Sequence, residues 1–123
     1  MKRKKFLYLD DKWTIEVASY QDNGNLALII ECKDGDDVPT VNLGSDIGNE
    51  TKMPKFAAFL DVNNCPHIDE VFEKTGIAKP YIRFGEPVTA GSGFVTYPLY
   101  QFDEAILREY DPKGVEEYIR SEG

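Results

Sequence analysis

A chain of 123 residues with 41% apolar content, seven Phe, seven Tyr and one Trp is sized and composed for one folded domain, not a disordered segment. Its formal charge is −8; four of fourteen bases lie at Lys2, Arg3, Lys4 and Lys5, so residues 6–123 set 10 bases against 22 acids, a net −12. A body that acidic repels phosphate backbones, which argues against direct nucleic-acid binding, and no apolar run nears the roughly 18 residues of a membrane span.

The chain opens on a basic tail, residues 1–5, and "FLYL" is cut short by "DDK". That is too short an apolar region for a signal peptide, so a cytoplasmic protein is expected, with Cys32 and Cys65 as free thiols. "KKFLYLDD" reads as a first strand. In "KWTIEVASY", Trp13, Ile15 and Val17 alternate with Lys12, Thr14 and Glu16, the period of a half-buried strand. "QDNGN" at 21–25 centres an Asn-Gly hairpin turn, and "LALIIEC" is the return strand. "KDGDD" is a further turn. "VPTVNLG" follows as a short strand, placed at an edge because Pro39 has no N–H to donate.

Residues 44–54, "GSDIGNETKMP", read as a flexible loop. "KFAAFLDV" has partly helical spacing, but its length and the following "NN" favour a buried strand. "PHIDEVFEKTG" reads as a helix with Pro66 at its first position, Asp69 and Glu70 in its first turns, Gly76 as its stop, and a stripe of Ile68, Val71 and Phe72. "PYIRFGEPV" and "GFVTYPLYQF" are strands joined near "TAGSG". "FDEAIL" begins with Asp103 as cap and a Phe102–Leu107 staple; "YDPKGVEEYI" repeats the device with Asp111, Pro112 and Tyr110 against Val115. The elements sum to one α+β domain over residues 1–123: a largely antiparallel sheet of about five to seven strands with two or three short helices on one face.

Chemistry is sparsely marked. Cys65 stands two residues before His67, the only histidine. A helix N-terminus would favour the thiolate, yet residues i and i+2 do not face each other, so His67 is a poor base for Cys65. The bland reading, a helix start capped by Asn64 or Cys65, fits the same letters. Two Cys without a CxxC pair and one His make no structural zinc site. "DGDD" fails as a calcium loop, since counting from Asp34 puts Pro39 sixth and Ser45 twelfth. "TAGSGF" lacks the Lys of a phosphate loop. No catalytic residue, metal or cofactor is therefore expected. "PYIRFGEP" puts Tyr81 and Arg83 on one strand face and Ile82 and Phe84 on the other, and Tyr and Arg favour protein interfaces.

Taken together, "FLDVNNCP", "PYIRFGEP", "YPLYQF" and "YDPKGVEEY" resemble a family of small uncharacterised bacterial proteins of Firmicutes and Bacteroidetes, often encoded on integrative and conjugative elements. The likeness spans roughly residues 6–120. It implies a cytosolic accessory protein of mobile DNA and supplies no catalytic residues. It directs attention to Asp61, Asn63, Asn64, Cys65, Pro66, Tyr81 and Arg83. The leading expectation is a non-enzymatic module that binds a basic protein partner, in the manner of a DNA mimic or anti-defence factor. A thiol-dependent enzyme or redox sensor centred on Cys65 and a structural domain that self-associates through "VPTVNLG" are the alternatives.

Overall fold

The structure, a computed structural model, describes residues 4–21, 24–42, 54–92 and 95–122. Its first sheet has the order β1 (Phe6–Tyr8), β2 (Asp11–Ser19), β3 (Leu26–Cys32), β4 (Gly35–Asp37), with every neighbour antiparallel. Ile15 and Val17 of β2 and Leu26, Leu28 and Ile30 of β3 are buried together, as the period-2 pattern requires. The β2–β3 connection closes with Tyr20 N–H donating to Asn25 O (2.9 Å) and Gly24 N–H to Tyr20 O (2.7 Å). Residues 22 and 23 of the expected Asn-Gly turn lie outside the described residues, as do residues 1–3 of the basic tail and all of the expected loop 44–54 except Pro54.

Beyond β4 the chain turns a corner at Val38 and Pro39 and joins a second sheet as β5 (Thr40–Val41). Pro39 needs no ladder partner for an N–H it lacks, and its carbonyl accepts from Asp61 N–H at 2.7 Å. Thr40 stitches the sheets together: its hydroxyl accepts from Leu28 N–H (3.3 Å) and meets the Tyr20 hydroxyl (3.0 Å). The second sheet has the order β10 (Thr89–Ser92), β11 (Val95–Phe102), β6 (Ala57–Leu60), β5, with β7 (Ala78–Pro80) also against β11. Residues 56–60 are buried throughout, which settles "KFAAFLDV" as a strand covered on both faces. A two-stranded ribbon, β8 (Ile82–Arg83) with β9 (Glu86–Pro87), completes the strands.

The α+β class holds. The single sheet of five to seven strands resolves into eleven short strands among the described residues, because Pro39 bends the chain from one sheet to the other and β7 parts from β11 into the ribbon. Three helices close the core: α1 (Ile68–Thr75), α2 (Glu104–Tyr110) and α3 (Pro112–Glu122). Their buried residues Ile68, Phe72, Leu107, Tyr110, Val115 and Tyr118 join those of both sheets in one cluster. Edge-on aromatic pairs run through it, Phe6–Phe72 at 5.7 Å and Phe72–Phe102 at 5.5 Å between centroids.

The helix ends follow the sequence unevenly. Asp103 caps α2, its carboxylate accepting from Ile106 N–H at 3.0 Å. Asp111 caps α3, accepting from Gly114 N–H at 3.0 Å, while its second oxygen accepts from Val17 N–H of β2 at 2.9 Å. Gly114 is required there: a Cβ would lie 2.4 Å from the Val17 carbonyl oxygen. Helix α1 departs from expectation. It starts at Ile68, two residues beyond Pro66, with His67 in the left-handed region (φ 63°) at the cap position and no side-chain cap. Pro66 is thus not the first helical residue and neither Asn64 nor Cys65 is the cap, because Asp61 has already tied residues 61–65 into their own turn. The stop at Gly76 (φ 78°) is as read from sequence.

Candidate functional site

Asp61, Asn64 and Cys65 come together at the end of β6. Asp61 is 8% exposed and its carboxylate accepts from Asn64 N–H (3.1 Å) and from the Asn64 side-chain amide (2.8 Å). Its carbonyl accepts from Cys65 N–H at 2.8 Å. This is an Asx-type turn, in which a short acid replaces missing backbone partners. Asn63 and Pro66 are exposed beside it, and the Pro66 carbonyl accepts from the Tyr8 hydroxyl at 3.0 Å. Every polar atom named here serves the turn or its seat on β1.

Cys65 is 1% exposed, and its thiol faces the Val38 carbonyl at 4.0 Å. Burial, reinforced by the nearby Asp37 and Asp61 carboxylates, pushes its pKa from the ordinary 9.0 up to about 12. The activated thiolate expected of a helix N-terminus is therefore replaced by its opposite, because Cys65 precedes the helix by three residues and lies in the core. His67 points elsewhere: its Nδ1 meets Glu70 Oε2 at 2.7 Å on the surface, and that carboxylate raises the imidazole pKa. The two side chains have separate partners and make no dyad. Both cysteines are free thiols, and no group of three or more His, Cys, Asp or Glu suited to a metal occurs among the described residues.

Tyr81 and Arg83 lie on the opposite side of β11 from β6. Tyr81 N–H donates to Leu99 O (2.9 Å) and Tyr81 O accepts from Val88 N–H (3.0 Å), while Leu99 N–H donates to Val88 O (2.8 Å). This three-way junction ends β7's pairing with β11 and starts the ribbon. Tyr81 also covers a second, smaller cluster on the far side of the second sheet, with Ala57, Phe59 and Leu99. Tyr81 and Arg83 are half-buried, while Ile82 is 53% and Phe84 97% exposed, but only Ile82 and Arg83 are in a strand, β8, and Phe84 lies in the turn beyond it rather than on a strand face.

The strand pattern of "PYIRFGEP" places Phe84 on a strand face, and the structure corrects this. Phe84 sits at the ribbon's tip with φ 54°, followed by Gly85 at φ 80°. Two left-handed residues in succession make the turn that usually takes Asn-Gly or Asp-Gly; a bulky side chain there costs about 1–2 kcal/mol. At the ribbon's base a cleft of about 340 Å³ is lined by Lys79, Pro80, Tyr81, Ile82 and Gln101. A neighbouring cleft of about 520 Å³ shares Lys79 and Gln101 and reaches Glu73 and Glu104. A signal for this region exists in the sequence: residues 77–102 hold six of the fifteen aromatics but only two of the fourteen bases and one of the 22 acids.

A small α+β protein is thus defined, with an acidic body, a hydrogen-bonded turn at Asp61 and, within the charge-poor segment 77–102, a β-ribbon tipped by the exposed Phe84. The chain belongs to the family described as a domain of unknown function, DUF4313, whose profile matches residues 14–122. No curated protein and no solved structure matches it. No helix among the described residues is long and apolar enough to cross a membrane.

Proposed function

We propose that this chain is a non-enzymatic binding module of the cytoplasm that engages a basic protein partner through its acidic body, as an accessory factor of mobile DNA. The observation that carries the reading is the partition of charge: 21 of the 22 acids lie outside residues 77–102. On the outer face of the first sheet Glu31 stands directly across from Asp36, both exposed, and neither forms an ion pair among the described residues. Facing like charges cost up to about 1 kcal/mol, a loss that attraction to a cationic surface would offset. Carboxylates spaced along a sheet can occupy a basic site made for phosphates, which is the DNA-mimic version of the reading. The thiol-based alternative has less support, since Cys65 is buried and its ionisation is suppressed.

The test uses the full chain immobilised at low salt in host lysate, with stepped salt elution and mass spectrometry, beside the double variant Glu31→Lys, Asp36→Lys. A basic nucleic-acid-handling protein released at moderate salt and lost from the variant is expected, because the screening length shrinks from about 10 Å at 0.1 M to about 3 Å at 1 M salt. Retention indifferent to both salt and charge reversal would sink the reading.

A further inference from the structure

We propose that the ribbon 82–87 and the outer edge of β10 form a two-fold interface between two copies of this chain. Three observations converge on a second copy as the occupant. The first is charge. Two bodies of net −8 repel, and residues 77–102, with Lys79 and Arg83 against Glu86, are where that repulsion vanishes. Tyr100 and Phe102 of that segment are buried in the core, so what the ribbon offers at its surface is Ile82 and Phe84 beside Arg83, the apolar, aromatic and Arg residue types that favour an interface core.

The second is shape. Phe84, 97% exposed, is a knob, and the cleft of about 340 Å³ lined by Lys79 and Pro80 of β7, Tyr81, Ile82 of β8 and Gln101 of β11 is a hole a few residues away at the ribbon's base. A knob and a hole close together on one surface can satisfy each other under two-fold symmetry, where residue i meets j and j meets i. Arg83 and Glu86, opposite each other across the ribbon, give that surface both signs of charge.

The third is the edge. Val88 turns its peptide groups inward, N–H to Tyr81 and carbonyl to Leu99. The register Thr89↔Pro98 and Gly91↔Thr96 then turns those of Thr89 and Gly91 outward, on the terminal strand of the second sheet. Two such edges, brought together antiparallel, continue the sheet across the axis. This contribution is needed, because a stable interface takes about 800 Å² from each partner and one aromatic side chain supplies roughly 150–250 Å².

Sedimentation of the full chain over a range of concentrations decides the matter. The wild-type chain, 13.9 kDa as a monomer, shifts to twice that mass as concentration rises. Phe84→Asp weakens association about thirtyfold or more, as loss of a central aromatic anchor does. Thr89→Pro removes one outward donor without touching the β11 ladder and weakens it about tenfold, with unchanged circular dichroism. A wild-type chain that stays at 13.9 kDa throughout, or a dimer that survives both substitutions, overturns the proposal.

Discussion

Where α3 meets the first sheet, both carboxylate oxygens of Asp111 have backbone partners, Gly114 N–H and Val17 N–H, and Gly114 lacks a side chain because the Val17 carbonyl occupies the space. At the ribbon's tip, Phe84 buries almost nothing and holds a backbone conformation that its own side chain disfavours. Within "YDPKG" the fold holds Asp111 and Gly114 in place; at the tip of "IRFGEP" it leaves Phe84 uncovered. The contrast separates two reasons for a residue to be present. Among the described residues the edge of β2 beyond Trp13 has no strand beside it, since β1 pairs only with Asp11, Lys12 and Trp13, and Asp111 accepts from Val17 N–H there. Nothing in the described fold depends on Phe84 in that way.

The comparison is broken most easily at Asp111. Asp111→Ala removes a helix cap, worth about 0.5–2 kcal/mol, and leaves the Val17 N–H without its acceptor, a further loss of about 1–3 kcal/mol. A destabilisation of about 2–4 kcal/mol is expected, read as a lower urea midpoint with an unchanged slope. Gly114→Ala tests the same junction from the other side. Helix propensity favours Ala by about 1 kcal/mol, but the new Cβ would meet backbone oxygen that cannot swing aside, so overpacking of about 1–3 kcal/mol wins. A net loss of up to about 2 kcal/mol is expected; a more stable variant would mean that α3 can shift off β2.

The buried groups beneath the Asp61 turn give a smaller effect with a defined sign. Cys65 and Tyr8 both have their pKa raised, chiefly by burial, from 9.0 and 10.0 respectively to about 12. A raised pKa means that the unfolded chain loses its proton first. The contribution of these two groups to stability is therefore flat below pH 9 and falls between pH 9 and 12, by on the order of 1 kcal/mol at pH 10. Cys65→Ser removes the earlier part of that fall, visible as a plateau extended by about one pH unit in urea midpoints. In the folded chain at neutral pH, alkylation should reach the half-buried Cys32 and spare Cys65 until denaturant is added. Rapid labelling of Cys65 without denaturant would restore the thiol-based alternative.

Much of this architecture is legible in the letters, and the failures have physical causes. Period-2 runs locate β2 and β3, and the Asp-Pro and Asp-Glu starts locate α3 and α2, because these signals are local and cap geometry involves only neighbours. Pro66 misleads because proline suits any position with φ near −65°, and the helix start was decided by Asp61 five residues earlier. The reactive-thiol alternative at Cys65 loses support for the same reason: exposure and helix position are set by packing against residues distant in sequence, such as Val38. Asp61, Asn64 and Cys65 do belong together, as their proximity suggests, but as a turn in which the Asp61 oxygens accept from Asn64 and Cys65. Tyr81 and Arg83 were legible through residue type. Phe84 was not, since strand alternation places a side chain on a face without saying whether anything covers that face.

The smallest predicted effect separates the two regions most sharply. Phe84→Asn places at the tip the residue that accepts a positive φ and precedes glycine in the favoured two-residue turn. If the fold is all that Phe84 serves, replacing a large aromatic costs stability. If it serves an external contact, the substitution relieves strain and loses almost no burial, so the monomer gains about 0.5–1 kcal/mol. The measured pair is then a urea midpoint that rises and a self-association that disappears. A fall in both would place Phe84 with Asp111, as part of what holds the chain together. A rise in the first with loss of the second leaves only an outside partner to account for an aromatic ring held in water on a strained turn.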